Sequence, residues 1–269
     1  MKKFLTMGIA SLLTLNMMGC TSATAMSNSQ NLVKFNFEKD NAGFMPIYAD
    51  YPYSKGVEEF YEFQHEYGKV PIDGAGNGLF ISGNNHSGDL FIGYVKALDG
   101  FAPARTYHFS VSFKLATDVE GGLVGVGGSP GESVTVKCGL TQTAPAALPI
   151  KNGGTTYYRL NIDAGRQSNS GKDMIVVGDM AKTENHRPGE YEFKEFQAEF
   201  DVVANILGEV YLTIGTDSGF EAITSYYLDD ISVTWEEAAE QPIVTRAQAA
   251  QMLFNTADRF SADPAKCPF

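Results

Sequence analysis

The sequence predicts an all-β protein, an antiparallel jelly-roll β-sandwich with a short C-terminal helix. Three observations predict it. Short runs rich in aromatic and β-branched residues recur along most of the chain; 28 Gly and 11 Pro punctuate its 269 residues too often for long helices; and two runs alternate cleanly with period two. In the first of these, Tyr107, Phe109, Val111, Phe113 and Leu115 oppose His108, Ser110, Ser112 and Lys114, the pattern of a half-buried strand in an antiparallel sheet. In the second, Tyr191, Phe193, Glu195 and Gln197 oppose Glu192, Lys194, Phe196 and Ala198; charge on both sides suits an edge.

The chain opens with Lys2 and Lys3 before an apolar run from Phe4 to Met18, too short for a spanning helix and placed like an export signal over 1–25. The run closes Met17-Met18-Gly19-Cys20, which resembles a bacterial lipobox and implies a lipid on Cys20 and a lipid-anchored protein of the cell envelope. A competing cut after Ala23-Thr24-Ala25 implies simple secretion. Strands are then expected over 32–38, 58–66, 78–82, 89–96, 106–116, 123–126, 133–139, 156–162, 174–178, 191–202, 209–215 and 223–234, making one sandwich domain over 31–235. The segment 141–154, with Pro145 and Pro149, reads as an excursion between strands. Past Trp235, Thr245 is a good N-cap for a run of helix formers, so 236–269 is expected to be a helical tail with its helix ending near Phe260. Thr245-Arg246 and the residues after it also look like the start of a surface-layer homology motif.

The stretch 223–235, I-T-S-Y-Y-L-D-D-I-S-V-T-W, organises the rest. Simple alternation puts Ile223, Tyr227, Ile231, Val233 and Trp235 on the core face, and Asp229 shares their parity. An inward carboxylate needs a cation, a hydrogen-bond cluster or the sandwich rim. Together with Phe35-Asn36-Phe37-Glu38 near the start, the run Y-Y-L-D-D-I-S-V resembles the last and first strands of carbohydrate-binding modules with the galactose-binding-like β-sandwich. The resemblance implies that the two strands lie close and hold a structural Ca2+, for which Glu38, Asp40, Asp229 and Asp230 are the expected oxygen donors. The bland reading is that Asp229 hydrogen-bonds locally at the sheet rim.

The resemblance also implies a glycan as partner, and the segment 40–73 offers the residues for one. It sets Phe44, Tyr48, Tyr51, Tyr53, Phe60, Tyr61, Phe63 and Tyr67 among six carboxylates. Sugar rings present CH faces that stack on aromatic planes, while carboxylates and amides meet the hydroxyls. Tyr48, Tyr51 and Tyr53, beside Pro46 and Pro52, are expected on an exposed loop; the alternative is that such rings fill the core. Among four turns rich in Gly, Asn and Ser, that from Ser82 to Asp89 carries Asn84, Asn85, His86 and Asp89 and is the first candidate for a polar rim site, while the turn after Asn161-Ile162-Asp163 carries Arg166.

Other chemistry is excluded or weak. Removing Lys2 and Lys3 with the leader leaves 18 basic against 32 acidic residues, a net charge of −14 that repels phosphate backbones, so no nucleic acid partner is expected. Four scattered histidines make no zinc pattern, and no Gly-x-Ser-x-Gly elbow or phosphate-cradling Gly-Lys-Ser/Thr loop occurs. Glu62 and Glu66 could sit on one face of a strand as a glycosidase-like pair, for which their separation and a raised pKa on one member would decide. With Cys20 lipidated, Cys138 and Cys267 are the pair left for a disulfide in an oxidising compartment; otherwise Cys138 is a buried thiol. The reading favoured is non-catalytic glycan binding, with a structural or adhesive protein that recognises another protein or a cell-wall polymer as the alternative, and a polysaccharide-degrading enzyme behind both.

Overall fold

Alternating apolar side chains can all be buried only if strands pair into sheets and the sheets stack face to face, and the chain does this twice over. A computed structural model describes residues 31–183 and 187–239. In order along the chain are β1 (Asn31–Phe35), β2 (Met45–Ala49), β3 (Tyr51–Pro52), α1 (Val57–Phe60), β4 (Gln64–Lys69), β5 (Asn77–Asn84), β6 (Leu90–Leu98), β7 (Thr106–Thr117), β8 (Val134–Thr141), β9 (Ala147–Asn152), β10 (Thr155–Leu160), β11 (Met174–Asp179), β12 (Glu192–Val203), β13 (Val210–Ser218) and β14 (Ile223–Glu237). One sheet runs β12-β7-β14-β5-β4 with β1 also paired to β14; the facing sheet runs β11-β8-β13-β6-β2; a small third sheet is β3-β10-β9. Every pairing is antiparallel.

The first and last strands are joined as expected, Asn31 opposite Trp235 through Phe35 opposite Ile231. Along one edge of β14 the partner changes from β5, which pairs residues 223–228, to β1, which pairs 231–235. At the changeover the register against β7 slips between Asp229 and Ser232, and Asp230 takes a left-handed backbone with φ 48°. This is a β-bulge, and it corrects the simple alternation. Before it Thr224, Tyr226 and Leu228 face the core while Ile223 and Tyr227 do not; after it Ile231 and Val233 are buried as expected. β12 is the edge strand that its two-sided charge predicts.

Between the two large sheets lie Phe109, Val111, Phe113 and Leu115 of β7, Tyr226 and Leu228 of β14, and Val134, Val136, Cys138 and Leu140 of β8. Cys138 is a free, wholly buried thiol, pushed well above its ordinary pKa by that burial. The facing sheet is covered on its outer side too. Ile47, Ala49, Phe91 and Met174 there pack beneath Ile162 and Ala164 of the segment after β10. That roof is fastened by an ion pair buried inside the outer layer: Lys137 Nζ donates to Asp217 Oδ2 and to the Ala164 carbonyl, each at 2.8 Å, and the Gln167 N–H donates to the same Asp217 oxygen at 2.7 Å.

Several expectations are corrected. Residues 58–66 do not form one strand: α1 occupies 57–60, Glu62 has φ 51°, and β4 begins at Gln64, so Glu62 and Glu66 do not share a strand face. Residues 123–126 form an exposed loop, and the excursion 141–154 contains β9. The leader, Cys20, Cys267 and the helix expected from Thr245 lie outside the described residues, and among those residues no helix is long and apolar enough to cross a membrane.

Candidate functional site

The aromatic segment is used mostly as core. Tyr51 is 5% exposed on β3 and its ring meets those of Tyr61, Phe63 and Tyr158 at 5.0–5.6 Å. Tyr48, on β2, stacks on Phe63 at 4.2 Å and donates its hydroxyl to the Gln64 carbonyl. The exposed loop expected for Tyr48, Tyr51 and Tyr53 is therefore corrected to two strands and a rim: Tyr53 alone of the three is exposed, at 56%, against Tyr158. Rings this apolar are worth more buried among one another than left in water.

In the 82–89 turn the residues separate by role. Asn85 is buried and its amide donates to the carbonyls of Ser218 and Phe220, both at 2.9 Å, while its oxygen accepts from the Ser87 N–H. Asn84 donates to Glu62 at 2.7 Å, and His86 lies exposed on Phe60, ring centroids 4.3 Å apart, with Nε2 3.1 Å from the Phe60 carbonyl. These hold the turn. Asp89, just ahead of β6, points elsewhere.

Asp89 lines a cleft of about 530 Å³ cut between the outer face of the second large sheet and its roof, with Asp50, Asn152, Tyr157, Arg159, Asp163 and Arg166 among the other lining residues. Asp50 ends β2 in a left-handed turn, φ 68°, a conformation that Asp tolerates better than most residues, and its N–H donates to the Tyr158 carbonyl at 2.7 Å. Alternation along β10 sends Tyr158 toward Tyr51 and Tyr53 and puts Tyr157 and Arg159 in the cleft. Arg159 Nη1 donates to Asp50 Oδ1 at 2.5 Å and to Asp89 Oδ2 at 3.0 Å, and its guanidinium lies 5.2 Å over the Tyr157 ring. Arg166 Nε approaches Asp89 Oδ2 at 3.6 Å from the open side.

The electrostatics follow from that packing. Burial pushes the Asp50 carboxyl up to about 6, against the pull of the Arg159 hydrogen bond and charge and with smaller upward contributions from Asp89 and Asp217. Asp163 goes the other way, held low by the N–H groups of Lys172 and Gly165 that it accepts. The cleft thus sets carboxylate acceptors, guanidinium donors and one phenol ring around an open space, with the charged groups already fixed by one another.

The residues expected to hold Ca2+ are placed apart in role. Asp230 pairs with Lys114 Nζ at 2.9 Å, Asp40 accepts from the Ala42 N–H at 2.8 Å, and Glu38 packs its carboxylate against Gly76. Asp229, buried at the bulge, accepts from the Asp230 N–H at 2.7 Å; burial raises its pKa, and the charges of Asp230 and Glu38 raise it further. Glu38 and Asp229 are neighbours, as the resemblance implies, yet among the described residues no group of three or more His, Cys, Asp or Glu side chains is arranged to hold a metal ion.

No protein-family model and no curated protein matches the chain. Solved structures to which it is similar include carbohydrate-binding modules. The N-terminal modules of an endo-1,4-beta-D-xylanase from Clostridium thermocellum, complexed with xylohexaose, share 15% identity over 80% of this chain and 30% of theirs, TM-score 0.35. A module described for specific mannan recognition shares 11% identity over 78% of this chain and 99% of its own, TM-score 0.35. A family 11 module from Clostridium thermocellum, in complex with a beta-1,3-1,4-mixed-linked tetrasaccharide, shares 12% over 75% and 94%, TM-score 0.33. The chain spans less than a third of the length of the xylanase chain it matches.

Proposed function

We propose that the protein binds a glycan, without cleaving it, in the cleft between β10 and the 161–173 roof, as a lipid-anchored protein of the cell envelope. The observation that carries the reading is the lining of the cleft: carboxylate oxygens of Asp50 and Asp89, guanidinium N–H groups of Arg159 and Arg166, the Asn152 amide and the Tyr157 ring, held on strands and on a loop that a buried ion pair fastens down. A sugar offers hydroxyls that both donate and accept and a CH face that meets an aromatic ring, so it uses every one of these groups. Groups already locked to one another lose little freedom when a ligand arrives.

A glycan array followed by calorimetric titration tests it. Tyr157→Ala and Arg166→Ala weaken binding by at least about tenfold, roughly 1.4 kcal/mol or more, while Tyr53→Ala, on the other face of β10, leaves it unchanged. Failure of every array glycan to bind, or equal affinity in all three variants, refutes the reading.

A second reading, hydrolysis, has one observation in its favour: Asp50, a carboxyl raised to about 6, lies with Asp89 around a single guanidinium nitrogen, a raised acid beside a second carboxylate. Release of reducing ends from a bound polysaccharide, abolished in Asp50→Asn, would establish it in place of simple binding.

A further inference from the structure

We infer that the end of the sandwich opposite the cleft rests on a lipid bilayer, with the Ile206-Leu207 turn dipping into it. The inference rests on the anchored reading above, since the lipid on Cys20 brings the membrane near. Four large apolar side chains stand exposed at this end: Ile206 (86%), Leu207 (73%), Leu32 and Val203. Hydrogen bonds place them together. The Ala204 N–H donates to the Arg105 carbonyl, the Phe101 N–H to the Gly208 carbonyl and the Ala238 N–H to the Thr106 carbonyl, while Val203 pairs with Thr106 and Leu32 with Thr234. The described chain therefore starts, at Asn31, and leaves the sheet, at Glu237, at this same end.

The turn is built so that its tip can leave water. Asn205 Oδ1 accepts from the N–H groups of Leu207 and Glu209 at 2.8 and 3.0 Å, the Gly208 N–H donates to the Asn205 carbonyl, and the Asn205 N–H to the Glu209 carbonyl. Gly208, with φ 73°, closes it where any side chain would collide with the Phe101 carbonyl. The N–H groups of Asn205, Leu207, Gly208 and Glu209, satisfied inside the turn, need no water, which lowers the cost of entering the headgroup region. Ten residues separate Cys20 from Asn31, a reach of at most about 35 Å, so an anchored chain keeps this end within that distance of the surface. With a net charge of −14 after loss of the leader, attraction to anionic headgroups cannot supply the contact; the apolar tip must.

The rival is the exposed apolar loop at the cleft end, where Val124 is 97% exposed. One Trp in the whole chain, Trp235, makes the two ends separable. In a Trp235→Phe background, Leu207→Trp and Val124→Trp each carry a single reporter; the full lipidated chain is placed on phosphatidylcholine vesicles whose acyl chains carry bromine, and flotation and quenching are both read. The expected result is flotation of both, quenching of the Leu207 reporter by at least about twofold with none at Val124, and loss of that quenching when Ile206→Ser is added. Flotation with the Leu207 reporter unquenched, or with Val124 quenched instead, overturns this orientation and leaves the anchor standing; a chain that does not float overturns both. Neither outcome touches glycan binding, which the array reads independently.

Discussion

Asp50 is a residue whose surroundings leave a mark that titration can read. Its folded pKa of about 6 lies above the ordinary carboxyl value of 3.8, so between those limits the native state holds a proton that the unfolded chain has released. Stability then falls as pH rises: the contribution is full below about 4 and gone once pH has passed through about 6. A shift of about two units corresponds to a loss on the order of 3 kcal/mol. Urea titrations of wild type and Asp50→Asn between pH 4 and 7 isolate it from Asp217 and Asp229, which burial also raises; the gap between the two proteins should move by that order in favour of the variant as pH rises, and a constant gap refutes the assignment. At this scale the sequence is a poor guide. Arg159 lies 109 residues from Asp50 and 70 from Asp89, so nothing local announces that the three meet. Tyr51 and Tyr53 look alike in sequence and both meet the ring of Tyr158; it is the rings of Tyr61 and Phe63, which only Tyr51 of the two reaches, that go with its burial.

The elements were more legible, because burial against one face leaves a period-two mark that any run of five or six residues can show. β7 and β12 are read correctly from that mark, and the joining of β1 to β14 agrees with the resemblance. What escapes is whatever breaks the period. β9 is almost wholly exposed and contains Pro149, β3 has two residues, and α1 has four, so none carries a periodic signal. The bulge in β14 hides because Tyr226-Tyr227-Leu228 reads equally well in either phase; the paired aspartates after it are the only local sign. That bulge makes a prediction at this scale. Asp230 sits at φ 48° with its carboxylate on Lys114, so Asp230→Gly loses an exposed ion pair and relieves the backbone, a change within about 1 kcal/mol. Asp230→Val sets a β-branched residue in the left-handed region and should cost more than about 2 kcal/mol. Chemical denaturation ranks the two, and equal costs would mean that the bulge does not depend on that conformation.

Viewed whole, the sandwich has two unlike ends. β14 runs for 15 residues, roughly 50 Å at about 3.3 Å per residue, and near its start the turns at 84–89 and 163–173 frame the cleft, while at its finish the described chain starts and leaves the sheet beside the Ile206-Leu207 turn. Attachment through residues ahead of Asn31 therefore turns the cleft away from whatever surface holds the protein. A long polysaccharide and a short oligosaccharide distinguish this from the reverse arrangement. If the cleft faces outward, both bind the vesicle-anchored chain with the affinity they show for the chain in detergent, within about twofold, because neither meets the bilayer. If the cleft faces the bilayer, the long polymer is shut out by the membrane while the short one still diffuses in, and only the polymer's affinity falls. Titration of both ligands against both preparations reads the difference directly, and the placement of the cleft and of Asn31 at opposite ends of the sandwich predicts the first result for a chain attached ahead of Asn31.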